Sequence, residues 1–304
     1  MNKDIRSLLD LTKENIDFLL NRAIELKKRH KKGISDNSLA GKSVGLIFDK
    51  ASTRTRISFE TASIQLGATP IFMNAKDMQL SRSEPIKDTA RVLSRYIDAL
   101  VLRTYDQDLI DEFAEFSSIP VINALSDMYH PCQILSDIMT VVEAKGDYNQ
   151  KIVWIGDGNN VAHSWINAAS ILGFELVLAC PKGYHPDEKI LKDAQKKNSK
   201  IVVVEDPFEA IKDADVVNTD VWASMGQESE QKKREKAFAG YEVNSKLLEK
   251  AKSDKIVMHC LPAHRGEEIS EEVLEGEFSV VWDQAENKRH MHKSILETLI
   301  NKSI

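Results

Sequence analysis

The amino-acid sequence predicts an α/β protein with two doubly wound domains, each a mainly parallel sheet flanked by helices. Short runs rich in valine, isoleucine and leucine alternate with stretches of helical periodicity, a pattern typical of parallel strands connected by helices. The 304 residues suffice for two domains, each with its own core. One long helical stretch divides the alternation into two sets. We therefore expect a linking helix between the domains and a C-terminal helix that returns to the first.

The first domain is predicted to span residues 1–130 together with the C-terminal helix at about 288–304. Residues 4–30 have the pattern of one or two helices and end in a basic cluster, 27–32, before Gly33. We interpret the cluster as a solvated helix end that suits the helix dipole rather than as a binding patch. The predicted strands are 44–48, 70–73, 99–103 and 120–125, and the helices between them are 53–66, 85–96 and 107–116.

The linking helix is predicted at residues 131–146, where apolar residues recur at helical spacing and Gly146 marks the end. The second domain, 147–287, repeats the alternation. Its predicted strands are 152–155, 176–179, 201–204, 216–218, 256–258 and 280–282, its predicted helices are 161–172 and 187–197, and a final helix is predicted from about His290 to Asn301.

Composition and charge exclude several classes of protein. Charged residues make up 29% of the chain and hydrophobic residues 42%, which argues against long disordered segments. The net charge of −6 gives no general attraction for nucleic acid or an anionic membrane, so any anion site must be built locally. No apolar run approaches the length of a membrane span, and the charged residues 1–6 do not resemble a secretory signal. We therefore expect a cytoplasmic protein.

The three cysteines, Cys132, Cys180 and Cys260, are too few and too scattered for a disulfide framework. None is paired with another at the spacing of zinc ligands. We therefore expect no structural metal, and the sequence calls for no cofactor.

The most distinctive stretch is Ser52-Thr53-Arg54-Thr55-Arg56, which lies between a predicted strand and a predicted helix. The N–H groups and positive dipole end of a helix N-terminus favour an anion. The hydroxyls and the two guanidinium groups add donors suited to phosphate oxygens. Ser52 could instead be an ordinary N-cap beside solvated arginines. The doubled arginine in this context favours the anion site, which is not a nucleotide P-loop because the Walker pattern does not occur in the chain.

Other polar residues follow the ends of predicted strands, where ligands gather in open α/β sheets. Arg103 ends an otherwise apolar strand on the sheet edge that carries the anion turn. His130-Pro131-Cys132-Gln133 opens the linking helix, with proline in its first turn and His130 just outside it. The imidazole could polarise a carbonyl group while Gln133 supplies an amide. Alternatively, Arg103 is a surface residue and His130 a packed cap.

A glycine-containing turn at residues 156–161 raises the alternative of a dinucleotide-dependent dehydrogenase. The third glycine of that motif is missing, and the next strand ends at Ala179 without the acid that binds a ribose. We therefore set the dehydrogenase aside. Asn159 and Asn160 are then candidate hydrogen-bonding groups for a polar substrate, or simply turn residues.

Two further loops follow strands of the second domain. Asp220 ends a strand, where a carboxylate can hold an ammonium group, and the Ser-Met-Gly loop at 224–226 can close over a ligand. We interpret the charged run after this loop, 227–236, as a solvated helix face. Residues 259–262 read His-Cys-Leu-Pro, and a cysteine beside a histidine suggests a thiol nucleophile. No acyl-enzyme apparatus accompanies it, so Cys260 could equally be a small residue that lines the ligand site.

Together the motifs resemble those of ornithine carbamoyltransferases, in the family's order and essentially from end to end. The motifs are Ser-Thr-Arg-Thr-Arg at 52–56, His-Pro-Cys-Gln at 130–133, Asp-Val-Trp-Ala-Ser-Met-Gly at 220–226 and His-Cys-Leu-Pro at 259–262. The first and the His-Pro-x-Gln pattern are shared with aspartate carbamoyltransferases, whereas the last two point to ornithine. The resemblance implies a carbamoyl phosphate domain, an ornithine domain, and a homotrimer with active sites at subunit boundaries.

The resemblance also implies roles for individual residues. For carbamoyl phosphate it implies Ser52, Thr53, Arg54, Thr55, Gln79, Arg103, His130, Pro131, Cys132, Gln133, Cys260, Leu261 and Lys288, with Gln79 reaching the ligand of a neighbouring subunit. For ornithine it implies Asn160, Asp220, Ser224 and Met225. The catalytic residues would be Arg54, Thr55, Arg103, His130, Asp220 and Cys260, without a metal.

The implied reaction is attack of the unprotonated δ-amine of L-ornithine on the carbamoyl carbon, which gives L-citrulline and phosphate. Thr55, Arg103 and His130 would stabilise the developing oxyanion, while Asp220 and Cys260 would orient the amine. Catalysis would then rest on positioning and electrostatics. Because the amine must lose a proton, we expect activity to rise with pH.

One position departs from the family pattern. The family usually shows Glu-Asn-Arg near the end, whereas Glu286-Asn287 is followed here by Lys288 and then Arg289. Lysine has a compact charge without a bidentate fork, and Arg289 would lie roughly 100° further around a helix. Either Lys288 takes the place of the family's arginine, or the local register differs and Arg289 does. We assign the role to Lys288.

Two alternatives to this function are a non-catalytic ligand-binding relative and an enzyme that uses putrescine or acetylated ornithine. The first should have lost a polar group from the four motifs, and none is lost. The Ser-Met-Gly loop suits an α-amino acid head group and so favours ornithine over the other amines. The sequence does not distinguish arginine synthesis from carbamoyl phosphate recovery, nor does it define assembly beyond a trimer.

Overall fold

The computed structural model describes residues 1–49, 52–79, 83–223 and 230–302. It divides into two compact units, Met1–Met139 with Glu286–Ile304, and Thr140–Ala285. Each unit contains a parallel sheet with flanking helices, which confirms the predicted fold class. Within the described ranges, no helix is both long and apolar enough to cross a membrane.

The first unit has strands β1 (Ser43–Phe48), β2 (Thr69–Asn74), β3 (Ala99–Arg103) and β4 (Val121–Leu125), and helices α1 (Lys13–Lys31), α2 (Arg54–Gln65), α3 (Ile86–Leu93) and α4 (Gln107–Phe116). The described strands form a parallel sheet in the order β2-β1-β3-β4. The central strands β1 and β3 are almost continuously apolar because both of their faces are covered. The edge strand β2 is largely exposed.

A helix is present where the linking helix is predicted, α5 (Pro131–Lys145), and the division between the units falls after Met139 within it. The second unit then has strands β5 (Lys151–Ile155), β6 (Glu175–Ala179), β7 (Ile201–Val204), β8 (Val216–Thr219) and β9 (Ile256–His259). Its helices are α6 (Asn160–Leu172), α7 (Glu188–Gln195), α8 (Pro207–Ala210), α9 (Gln231–Ala237), α10 (Ser245–Leu248) and α11 (Glu271–Leu274). The described strands form a parallel sheet in the order β7-β6-β5-β8-β9.

The last helix, α12 (Val281–Asn301), corrects the prediction for this part of the chain. The predicted strand at 280–282 is wrong, and the helix begins at Val281 rather than near His290. The backbone N–H of Gln284 donates a helical hydrogen bond to the Val280 carbonyl at 2.9 Å, and Trp282 is exposed on the helix surface. An apolar run this short does not by itself distinguish a strand from the first turn of a helix.

Within each sheet, the candidate residues lie at or just beyond the carboxyl ends of strands. In the first unit, β1 leads to the 52–56 turn and β3 ends at Arg103. In the second unit, Asn160 follows β5, Asp220 follows β8 and Cys260 follows β9. This is the position at which open parallel sheets bind their ligands.

Candidate active site

The N-terminus of α2 lies at the turn for which the sequence predicts an anion site. The N-cap residue is Thr53, whose side chain makes no capping hydrogen bond. The alternative in which Ser52 is an ordinary N-cap is therefore wrong. Because Thr53 does not cap the helix with its side chain, the first N–H groups of α2 point towards the turn without that partner. This is the arrangement that favours binding of an anion.

Thr55, in the first turn of α2, joins two cationic side chains. Its buried Oγ1 accepts a hydrogen bond from Lys288 Nζ at 3.1 Å and lies 3.5 Å from Arg103 Nη1. The pairing of β1 with β3 places Arg103 opposite Phe48, directly before the turn. Arg103 is 6% exposed, which excludes the alternative of a surface arginine. The result is a local concentration of positive charge in a chain that is acidic overall.

Gln133 connects Lys288 to the start of α5. Its Oε1 accepts a hydrogen bond from Lys288 Nζ at 2.8 Å, while its Nε2 donates to Asp137 Oδ1 at 2.7 Å. Gln133 and Lys288 are both buried. The ammonium group is therefore held between α2 and α5 by two oxygen acceptors, and the amide of Gln133 is fixed in orientation by its two partners.

His130 lies directly before Pro131, the first residue of α5, and is buried. Burial, together with the positive charges of Lys288 and Arg103, lowers the pKa of His130 well below its ordinary value of 6.5. The ring is therefore neutral at pH 7, and a neutral imidazole can still donate one hydrogen bond to a carbonyl oxygen.

Cys132 is not a nucleophile in this arrangement. Its Sγ donates a hydrogen bond to the Asn123 carbonyl at 3.3 Å, and the side chain is buried. Burial raises the pKa of the Cys132 thiol to about 12, so the thiolate is not populated near neutral pH.

In the second unit, the carboxylate of Asp220 is buried and accepts hydrogen bonds from three groups. Its Oδ1 accepts from the Val221 amide at 2.9 Å and from Cys260 Sγ at 3.0 Å. Its Oδ2 accepts from Asn159 Nδ2 at 3.2 Å. The thiol of Cys260 thus donates to a carboxylate. This contact argues against the nucleophile alternative, because a thiolate at this position would lie against a second negative charge.

A buried pair, His259 and Glu268, supports the loop that contains Cys260 and Leu261. His259 Nδ1 accepts a hydrogen bond from the Leu261 amide at 2.9 Å, so the ring proton lies on Nε2, which donates to Glu268 Oε1 at 2.9 Å. The same carboxylate oxygen accepts from the His264 amide at 2.6 Å. Leu261 has a φ of +60°, which is uncommon for a residue with a side chain. These contacts hold the loop in that conformation.

The turn before α6 is shaped by chain packing rather than by a cofactor. The Gly158 amide donates to the Tyr184 carbonyl at 2.8 Å. A Cβ atom at position 158 would lie 2.2 Å from Pro186 N and 2.4 Å from the carbonyl carbon of His185. Glycine is therefore required because another backbone segment approaches this closely. This explains the glycine without the pyrophosphate that a dehydrogenase would place here.

Arg234 is an exception to the interpretation of the charged run 227–236 as a solvated face, since the other described residues of the run, 230–233, 235 and 236, are exposed. Its side chain is buried, and Nη1 donates to Asp157 Oδ2 at 2.6 Å and to the Trp222 carbonyl at 2.7 Å. The guanidinium group also packs over the ring of Tyr184, 4.9 Å from its centre. Arg234 thus ties α9 to the turns after β5 and β8.

Two groups of side chains in the described residues could in principle hold a metal ion. One is Asp220, His259 and Cys260, and the other is His264, Glu267 and Glu268, each with ligand atoms within 4.8 Å of one another. In the first group, both ring nitrogens of His259 already have hydrogen-bond partners. The expectation that the site uses no metal stays a prediction.

Comparison with known proteins finds two family models that together span most of the chain. Residues 3–143 match the aspartate/ornithine carbamoyltransferase carbamoyl-P binding domain, and residues 148–299 match the Asp/Orn binding domain of the same family. The chain belongs to the aspartate/ornithine carbamoyltransferase family.

Named relatives point to the ornithine branch of the family. The chain is 58% identical over 302 residues to the ornithine carbamoyltransferase of Desulfotalea psychrophila, a match that covers 99% of this chain and 100% of the relative. The structure of the Pyrococcus furiosus ornithine carbamoyltransferase superposes with a TM-score of 0.95 at 48% identity, covering 99% of this chain and 97% of that one. The anabolic enzyme of Campylobacter jejuni gives a TM-score of 0.93 at 42% identity, covering 99% and 100%. The resemblance drawn from the four motifs is confirmed.

Among the carbamoyltransferase residues predicted from the sequence, the structure brings some together within each unit and leaves others apart. In the first unit Thr55, Arg103, Gln133 and Lys288 form one connected group, and in the second Asp220 contacts Cys260. The side chain of Gln79 is exposed. Ser224 and Met225 lie outside the described residues. Sequence reasoning considered Asn159 as a substrate-binding group or a turn residue, and it missed the burial of Arg234 and the pairing of His259 with Glu268. The unusual His-Cys-Leu-Pro stretch at 259–262 was the signal for that pair.

Proposed function

We propose that this protein transfers the carbamoyl group of carbamoyl phosphate to the δ-amine of L-ornithine, giving L-citrulline and phosphate. The observation that carries the proposal is the contact of Lys288 and Arg103 with Thr55 at the N-terminus of α2, in a chain that belongs to the carbamoyltransferase family. Two cations and a helix N-terminus suit a dianionic phosphate group.

The first unit is proposed to bind carbamoyl phosphate. Ser52, Thr53, Arg54 and Thr55 bind the phosphate oxygens, and Lys288 replaces the arginine usual in the family. Arg103, His130 and Gln133 bind the carbamoyl group, with Pro131 and Cys132 forming the start of α5 behind them. The fixed orientations of Gln133 and Lys288 support this assignment, because their donors are in place before the ligand arrives.

The second unit is proposed to bind ornithine. Asp220 accepts hydrogen bonds from the amino groups of ornithine, and Asn160, Ser224 and Met225 contribute to the same site. Cys260 and Leu261, which follow β9, also contribute to substrate binding. The buried carboxylate of Asp220, held by the Cys260 thiol, supports its role in orienting the amine.

In the chemical step, the lone pair of the neutral δ-nitrogen forms a bond to the carbamoyl carbon. The carbon–oxygen bond to phosphate breaks, the phosphate leaves with the bonding electrons, and the nitrogen loses a proton. Arg54, Thr55, Arg103 and neutral His130 stabilise the negative charge on the carbamoyl and phosphate oxygens. No enzyme nucleophile takes part, which agrees with the thiol of Cys132 staying protonated.

We further propose a homotrimer in which Gln79 reaches a neighbouring subunit's ligand. Exposed apolar side chains on the first unit support a contact with a second copy: Ile57 and Ile64 of α2 and Ile71 and Phe72 of β2 are 39% to 63% exposed. We also propose a role in arginine metabolism and a cytoplasmic location. The cysteines are free thiols, as a reducing compartment requires.

The test is citrulline formation from carbamoyl phosphate and L-ornithine, measured beside reactions with aspartate, putrescine and N-acetylornithine. We expect clear preference for ornithine. Preference for another amine would keep the phosphate turn but overturn the assignments of Asp220, Ser224 and Met225. Absence of turnover with all four amines would favour a binding protein without catalytic activity. Light scattering of the same preparation measures its molar mass in solution, which tests the trimer.

A further inference from the structure

We propose that Asn159 is a positioning residue that fixes the carboxylate of Asp220 for ornithine. The inference rests on the proposed function and gives Asn159 a role different from the two that the sequence suggested, direct substrate binding and a turn. One side chain contacts two separate parts of the second unit, the N-terminus of α6 and the end of β8. Its conformation therefore determines where Asp220 lies relative to Asn160, the first residue of α6.

The amide oxygen of Asn159 caps α6. Asn159 is the N-cap residue, with φ −80° and ψ −170°, and its Oδ1 accepts hydrogen bonds from the amides of Val161 at 2.9 Å and Ala162 at 3.1 Å. The cap satisfies two of the N–H groups that a helix N-terminus leaves without helical partners. The oxygen is therefore committed to the helix.

With the oxygen bound to the helix, the side-chain nitrogen of Asn159 points towards Asp220. Nδ2 donates to Asp220 Oδ2 at 3.2 Å. A flipped side chain would aim its NH₂ group at two backbone N–H groups and its oxygen at a carboxylate, which is unfavourable on both sides. Oδ1 of Asp220 accepts hydrogen bonds from the Val221 amide and the Cys260 thiol. The hydrogen bond from Asn159 holds the other oxygen, Oδ2, so both oxygens of the carboxylate are fixed and its plane cannot rotate freely.

Asparagine combines two properties that the other good N-cap residues do not. Aspartate caps a helix as well as asparagine does, but it would place a second carboxylate opposite Asp220. Serine also caps, but its shorter side chain has no amide NH₂ to extend towards Asp220. If Asn159 served only as a cap, N159D and N159S would behave like the parent enzyme.

The experiment compares Asn159→Asp and Asn159→Ser with the matched control Asn244→Asp. Asn244 has the same two contacts at a different helix: Oδ1 caps α10 by accepting from the Leu247 amide at 3.0 Å, and Nδ2 donates to Glu242 Oε2 at 3.1 Å. The control N244D therefore also places two carboxylates next to each other, but at Glu242 instead of Asp220. Steady-state kinetics give KM for ornithine, KM for carbamoyl phosphate and kcat, and thermal unfolding reports folding of each variant.

We expect N159S to lower kcat/KM for ornithine about ten- to a hundred-fold through the loss of a hydrogen bond to a charged group. N159D should lower it further, since it adds repulsion. KM for carbamoyl phosphate should stay within about twofold, and N244D should match the parent enzyme in all constants. Because serine is also a good N-cap and adds no charge, N159S should unfold near the parent temperature, which separates its kinetic loss from loss of folding, whereas the repulsion in N159D should lower its unfolding temperature.

Parent-like kinetics for ornithine in N159D or N159S would overturn the positioning role while leaving the proposed function intact. An equal loss in N244D, or a loss that follows the unfolding temperature alone, would also overturn it, because the effect would then be one of stability. A parent protein that forms no citrulline from ornithine would overturn the proposed function itself, and this inference with it.

Discussion

Lys288 Nζ lies 2.8 Å from Gln133 Oε1, although the two residues are 155 positions apart in the chain. The same ammonium group contacts Thr55 at 3.1 Å, so α12 supplies a cation to both α2 and α5. The neighbouring Arg289 instead lies near Glu286 and His290 on another face of α12. Of the two candidate cations at this point, only Lys288 therefore faces the predicted carbamoyl phosphate residues.

Replacement of this cation should weaken carbamoyl phosphate binding. We expect Lys288→Met to raise KM for carbamoyl phosphate about ten- to a hundred-fold, because it removes a charged hydrogen-bond donor and leaves Gln133 Oε1 without that partner. Lys288→Arg should retain most of the activity. Arg289→Met is the matched control and should change KM less than about twofold, since a partly exposed ion pair contributes little. A larger effect of R289M than of K288M would show that the register assignment is wrong.

Activity should rise with pH from about pH 6 to about pH 9, because the attacking amine of ornithine must be neutral. The neutral state of His130 at pH 7 means that this residue does not add a second ionisation in the same range. Initial rates with both substrates saturating, compared with rates at low ornithine, provide the measurement. A flat profile would contradict the mechanism, provided that product release is not rate-limiting.

Folding stability should fall on mild acidification because α12 contains buried neutral histidines. Burial and the charge of Lys288 lower the pKa of His292 well below 6.5, and burial lowers that of His290 to about 4. The unfolded chain binds these protons near 6.5, so the stabilisation is complete above that pH and is lost as the pH falls towards the folded values. Urea unfolding at neutral and mildly acidic pH measures the effect.

A variant can isolate the contribution of His292, whose Nδ1 lies 2.8 Å from Ser58 Oγ and whose ring stacks on Phe59 at 3.6 Å. We expect His292→Gln to cost stability at neutral pH but to reduce the loss on acidification. The same substitution at the exposed His185 serves as the control. An unchanged acid dependence in H292Q would refute this attribution.

Gly158→Ala should destabilise the second unit and weaken ornithine binding. The added Cβ would meet the backbone at 2.2 Å, so the turn that leads to Asn160 must shift, at a cost of about 1–3 kcal/mol. Gly173→Ala is the comparison, because its φ of +80° is strained for alanine but its Cβ would meet nothing within 4 Å. If the two variants had equal KM for ornithine, the close approach at Gly158 would not matter for the site.

The sequence predicted those parts of the site that are continuous along the chain. The turn at 52–56, the strand-end position of Arg103 and the start of α5 each depend on neighbouring residues, so periodicity and motif order sufficed. Val280–Trp282 was misassigned because three apolar residues carry too little periodicity to exclude a strand. Arg234 was missed because a basic residue in a charged run gives no sign that Asp157 will bury it.

The position of Lys288 also bears on the order in which the site can form during synthesis. Thr55 and Lys288 are 233 residues apart, and every residue of the second unit lies between them. A nascent chain therefore contains the turn, Arg103 and Gln133 long before it contains the ammonium group that joins them. The first domain of the growing chain can fold its strands early, but the complete anion site arises only after the second domain has been translated and α12 has docked.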